Sequence, residues 1–107
     1  MTTWTPFRAA GQLGTVLANV AVLPNARTTK IRYMAVFNVG VSTEDVEVYH
    51  SDGTTNRLIA ACTLLTGEWA EVYDGSVELD LPLTDALKAL TTNATSVNYL
   101  ILGESTS

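Results

Sequence analysis

Between residues 30 and 65, apolar and polar positions alternate in three runs, each closed by turn residues. A period of two bounded by Gly, Asp and Ser predicts consecutive antiparallel strands. Residues 30–39 stop at Gly40, residues 44–50 stop at Ser51-Asp52-Gly53-Thr54-Thr55, and residues 56–65 stop at Thr66-Gly67. In the first run Met34 and Val36 are expected inward and Phe37 against a neighbour. In the second, Val46, Val48 and His50 share a face, so Asp45, Glu47 and Tyr49 make a wet, acidic one. Asp52-Gly53 is a hairpin signal, because a type I′ turn needs positive φ at both central positions; a longer loop would use the same residues.

The flanks extend the pattern. Residues 13–23 read as an earlier strand with apolar members on both faces, ended by Pro24-Asn25. After Thr66-Gly67 come strands at 68–73 and 76–81, separated by Asp74-Gly75. Residues 82–90 alternate passably as a strand and also fit a two-turn helix capped by Thr84 or Asp85. Strand is preferred, since so short a helix has little stability of its own. Asn93-Ala94 turns into a last strand at 95–103, with Val97, Tyr99 and Ile101 opposite Asn98, Leu100 and Leu102. Residues 1–12 show neither period. They are expected to be an extended N-terminal arm whose Trp4 and Phe7 fold back or dock on a neighbour, leaving 13–107 as one domain. The predicted fold is all-β, an antiparallel two-sheet sandwich of Ig-like or jelly-roll-like type.

Composition narrows the function classes. Six Lys and Arg against eleven Asp and Glu give a net charge of −5, and the basic residues are scattered singly. This excludes phosphate wrapping, which needs clustered cations, so no nucleic-acid partner is expected. No apolar run approaches the roughly 20 residues of a membrane span, and residues 1–8 lack a basic-then-apolar leader. A cytosolic origin follows as the expectation. Cys62 is the single cysteine, so no internal disulfide is possible and the fold must stand on packing or on partners; in an alternating run it reads as a small buried hydrophobe.

Candidate chemistry is sparse. His50 is the one histidine; Asp52, Glu44, Asp45 and Glu47 lie near it, but alternation keeps them from converging on a metal. Glu68, Glu71, Glu78 and Asp80 read as a solvated face rather than paired catalytic acids. Asn93-Ala94-Thr95 reads as a turn. No catalytic residue, cofactor or metal ligand is assigned. Trp69, with Tyr73 and Tyr49, could stack on a sugar ring, although an interface or core role suits a tryptophan better.

In its order of pieces the chain resembles the small β-sandwich structural proteins of tailed bacteriophages. The resemblance is carried by residues 30–38 ending in Asn38, Val46-Glu47-Val48-Tyr49-His50, Arg57-Leu58-Ile59, Thr66-Gly67-Glu68, Asp74-Gly75, the leucine-rich 79–90 around Asp85, and 96–103. It spans about residues 13–103. Thr84-Asp85 stands where such proteins have Gly-Asp, and the arm with Trp4 has no counterpart. The resemblance implies a non-enzymatic virion protein, either a capsid decoration or cement protein on the major capsid protein lattice or a tail, neck or baseplate component. It would be made in the host cytoplasm, act on the capsid surface, and work as a homo-oligomer with a trimer as the expected size. Trp4, Phe7, Arg8, Phe37 and Trp69 are the expected interface residues, since aromatic side chains and Arg favour interface centres. A carbohydrate- or receptor-binding sandwich is the alternative from another class.

Overall fold

A computed structural model describes residues 3–20, 28–77, 79–82 and 84–106. Its strands are β1 (Trp4–Gln12), β2 (Ala18–Asn19), β3 (Thr28–Asn38), β4 (Glu44–Ser51), β5 (Asn56–Leu64), β6 (Trp69–Tyr73), β7 (Leu79–Pro82), β8 (Ala86–Thr91) and β9 (Val97–Thr106). One sheet, here the outer sheet, runs β1-β9-β3-β6 with β7 also on β3; the second runs β2-β8-β4-β5. Every pairing is antiparallel.

The pairings decide between the two sandwich types. With β6 and β7 taken as halves of one interrupted strand, β1·β9, β2·β8, β3·β6/β7 and β4·β5 are the rungs of a single folded ribbon. Rolling that ribbon up adds β9·β3 and β8·β4, which is jelly-roll connectivity. Ile31, Met34, Val36, Val46, Val48, Leu81, Leu87, Val97 and Ile101 fill the core between the sheets.

Two expectations change. Residues 4–12, expected as an arm, form β1 along the whole of β9, from Trp4 opposite Thr106 to Gln12 opposite Asn98. Phe7 and Ala9 pack on the core from this strand. Its period was hidden because its inward positions, Phe7, Ala9 and Gly11, are mostly small, and Gly11 sits directly beneath the Tyr99 ring. The strand expected at 13–23 is reduced to Ala18–Asn19 among the described residues, and 21–27 lie outside them. Glu44, for whose burial no expectation was set, is fully buried.

The remaining turns follow their local chemistry. Only Gly53 of the Asp52-Gly53 pair has positive φ, so the loop is longer than two residues. Asp52 Oδ1 accepts from the Thr54 and Thr55 amides and fixes it as an Asx turn. Residues 86–91 are strand, as preferred, and β9 continues past Gly103 to Thr106.

Glu44 shows how this sandwich keeps a buried charge. Its Oε1 accepts from Thr91 Oγ1 at 2.9 Å and the Asn93 amide at 2.8 Å, and its Oε2 accepts from Asn93 Nδ2 at 2.6 Å. Burial works against the charged form, but these bonds outweigh it and hold the carboxyl below its ordinary value. A depressed folded pKa stabilises the fold above the unfolded carboxylate's pKa, and that contribution fades as pH falls through the folded value. Glu44→Gln is therefore expected to lose about 1.5–3 kcal/mol at neutral pH. The gap to wild type should narrow under acid; urea midpoints against pH check this, and a gap constant with pH would contradict it.

Candidate interaction surface

Alternation along the outer sheet places one residue in two away from the core, and these outward positions line up in five cross-strand rows. From one end of the molecule they are Trp4 with Thr106 and Thr28; Pro6, Glu104, Lys30 and Asp80; Arg8, Leu102 and Tyr33; Ala10, Leu100, Ala35 and Glu71; and Gln12, Asn98, Phe37 and Trp69. β3 reaches this arrangement only through a bulge. Ile31 pairs with Gly103 and Tyr33 with Leu102, leaving Arg32 as the extra residue. The bulge changes the parity of the strand, so Thr29 and Ile31 face the core before it and Met34, Val36 and Asn38 after it.

The face is apolar down its middle and charged along its sides. Leu102 is 37% exposed, with Leu100 and Tyr33 half-buried beside it and Ala35 fully covered. At one end Lys30 Nζ lies 5.0 Å from the Trp4 ring centroid, within cation–π range. Arg32 pairs with Glu104 at 3.6 Å. At the other end Phe37 and Trp69 stack with centroids 6.0 Å apart and planes 23° apart, and Trp69 remains 56% exposed. Next to them, the Asn98 side-chain oxygen is shielded from water and accepts no hydrogen bond among the described residues.

Of the five residues expected at an interface, Trp4, Arg8, Phe37 and Trp69 share this face, while Phe7 turns inward. Leu102, Leu100, Tyr33, Lys30 and Glu104 lie on the same face and are not among those five. One signal was available for the first two. The last strand is apolar on both faces, Val97 and Ile101 on one and Leu100 and Leu102 on the other, as in strands covered on both sides.

The supposed sugar platform does not assemble. Trp69 lies on the outer sheet with its ring stacked on Phe37, and Tyr73 packs on the core and donates to the Val77 carbonyl. Tyr49 belongs to β4 in the second sheet, where it donates to Glu47 Oε1 at 2.7 Å. Glu68, Glu71 and Asp80 are exposed; Glu78 lies outside the described residues.

Elsewhere, His50 Nε2 meets Asp85 Oδ2 at 2.7 Å, tying β4 to the turn before β8. Among the described residues, no three His, Cys, Asp or Glu side chains converge as a metal site. Cys62 is half-buried against the core, and burial together with the Asp45 charge pushes its thiol pKa up. A cleft of about 440 Å³ opens between β5 and β6/β7, lined by Ile59, Glu71, Val72, Tyr73, Val77 and Leu79. No helix of the described residues is long and apolar enough to cross a membrane.

No protein-family sequence model matches the chain, and no curated protein matches it in sequence. Solved structures do. A subunit from Bacillus endospore appendages, described as a novel family of disulfide-linked pili, superposes with a TM-score of 0.58 at 13% identity, over 98% of this chain and 88% of that one. A chain of the acid-stable capsid of Helicobacter pylori bacteriophage KHP30 superposes with a TM-score of 0.55 at 16% identity, over 100% of this chain and 94% of that one. At these identities the likeness is one of fold.

Proposed function

We propose that this chain is a non-enzymatic virion structural protein, and within that class a capsid decoration or cement protein acting as a homo-oligomer on the major capsid protein lattice. The observation that carries the reading is the end-to-end correspondence with a phage capsid chain, in which neither protein has a large region left over. The outer-sheet face supports it, because its exposed tryptophans and Leu102 are apolar area that a partner would cover. On a shell, many copies of a modest interface act together, so weak single contacts sum to tight attachment.

Co-sedimentation of the purified protein with empty capsids of its phage tests the reading. Stoichiometric binding to shells is the expected result, and a protein left entirely in the supernatant would overturn the capsid assignment. A second reading, a tail, neck or baseplate component, draws on the likeness to a chain of disulfide-linked pili rather than of a shell. Labelling at the tail in electron micrographs would favour it.

A further inference from the structure

Resting on that reading, the outer-sheet face also suggests which partner covers it first. The strand edges are poorly suited to association. Leu13 donates its amide to the Val97 carbonyl, so odd-numbered residues of β1 direct their N–H groups toward β9 and even-numbered ones toward the free edge. Pro6 falls on that free edge, where it removes a donor and blunts pairing. β2 has only two residues, β6 and β7 are interrupted between Tyr73 and Leu79, and β5 is bulged at Ile59, which is skipped between Ala60 opposite Val48 and Leu58 opposite Tyr49. Association is left to a face.

The charges on that face are arranged laterally. Arg8 stands alone on the β1 side, Asp80 and Glu71 stand on the β7 and β6 side, and in the middle Glu104 on β9, paired with Arg32, sits beside Lys30 on β3. We infer that the face binds a second copy of the chain about a two-fold axis parallel to the strands and between β9 and β3. That axis lays β9 over β3 and β1 over β6/β7, row upon row. Glu104 then meets Lys30 of the second copy, Arg8 lies between its Asp80 and Glu71, and Leu102 opposes its Tyr33, each contact occurring twice.

The other in-plane two-fold, perpendicular to the strands, would stack each strand on itself. It sets Arg8 against Arg8 and Asp80 against Glu71, and like charges disfavour it. Size is sufficient as well. Four strands of roughly ten residues present about 33 by 19 Å. Over two copies that is about 1,250 Å², above the ~1,000 Å² a specific interface needs and at the small end of the standard class. Sheets packed in this way lie about 10 Å apart with strands nearly aligned.

Sedimentation velocity over a concentration series, without capsids, is the test. A reversible monomer–dimer equilibrium is expected for the wild type, and Leu102→Arg, at an exposed position, should leave a folded monomer by circular dichroism. Arg8→Glu should weaken the dimer about tenfold, and Arg8→Glu combined with Glu71→Arg and Asp80→Arg should restore it within about threefold. A wild type that stays monomeric, a three-fold assembly, or a dimer indifferent to Leu102→Arg would overturn the inference. A wild type that is monomeric and binds shells, yet loses that binding through Leu102→Arg, would also overturn it and give the face to a different protein. A charge-restored dimer that ignores shells would instead leave the inference standing and sink only the virion reading.

Discussion

Gly103→Ala is expected to cost about 3–5 kcal/mol and to yield mostly insoluble protein, because there is no room for a single added carbon. A Cβ at this position would lie 2.1 Å from the Lys30 carbonyl oxygen and 3.3 Å from the Ile31 Cα. Both are backbone atoms, so no side-chain rotation relieves the overlap. Relief requires β9 and β3 to separate beside the Arg32 bulge, where the outer sheet is joined at its centre. Small size, rather than an unusual backbone angle, is what the position demands. Gly14→Ala is the control, since nothing lies within 4 Å of its added carbon. Thermal melts of the two variants should differ by well over 10 °C if the clash decides; similar melts would show that β9 can shift without loss.

Asn38→Ala is the second large effect, with an expected loss of about 2–4 kcal/mol in urea unfolding. The side chain is 1% exposed at the end of β3. Its Nδ2 donates to the Ser42 carbonyl at 2.8 Å and the Leu64 carbonyl at 3.0 Å, and its Oδ1 accepts from the Gly40 amide at 2.9 Å. Its backbone also exchanges bonds with the β5–β6 turn, donating to the Glu68 carbonyl and accepting from the Gly67 amide. One residue thus holds two loops, and alanine leaves three buried or half-buried backbone groups without their partner. Asn38→Asp should be worse than alanine, because a carboxylate oxygen would face two carbonyl oxygens. An aspartate as stable as the wild type would mean that solvent reaches this pole.

How much of this was legible in the sequence depended on parity. Where a strand keeps strict alternation, as from Val46 to Val48, faces could be assigned directly, and both valines are in the core. In residues 30–38 the same rule places Met34 and Val36 inward, where they are, but puts Ile31 on the other face, although Ile31 is buried too at an odd spacing from Met34. The extra residue Arg32 explains this, and a bulge leaves no mark in the hydrophobic pattern. β1 failed for a different reason. Its inward positions include Ala9 and Gly11, small because Tyr99 and the sheet fill the space above them, so the apolar signal was too weak to show a period. Trp4, Arg8, Phe37 and Trp69 were chosen by residue type alone, and their common face became visible only with the register of four strands. The cross-strand neighbours Lys30 and Glu104 come together from 74 positions apart, a distance over which no local pattern operates.

The pairing of Trp4 with Thr106 gives the molecule a polarity. Both ends of the described chain emerge side by side at one pole of a body 48 Å long. The opposite pole is occupied by the connections after β3, β5 and β8, which are bonded to one another through Asn38, Gly67 and Ser96. Anything joined to either end, a tether, a tag or a displayed peptide, therefore projects in the same direction and leaves that second pole unobstructed.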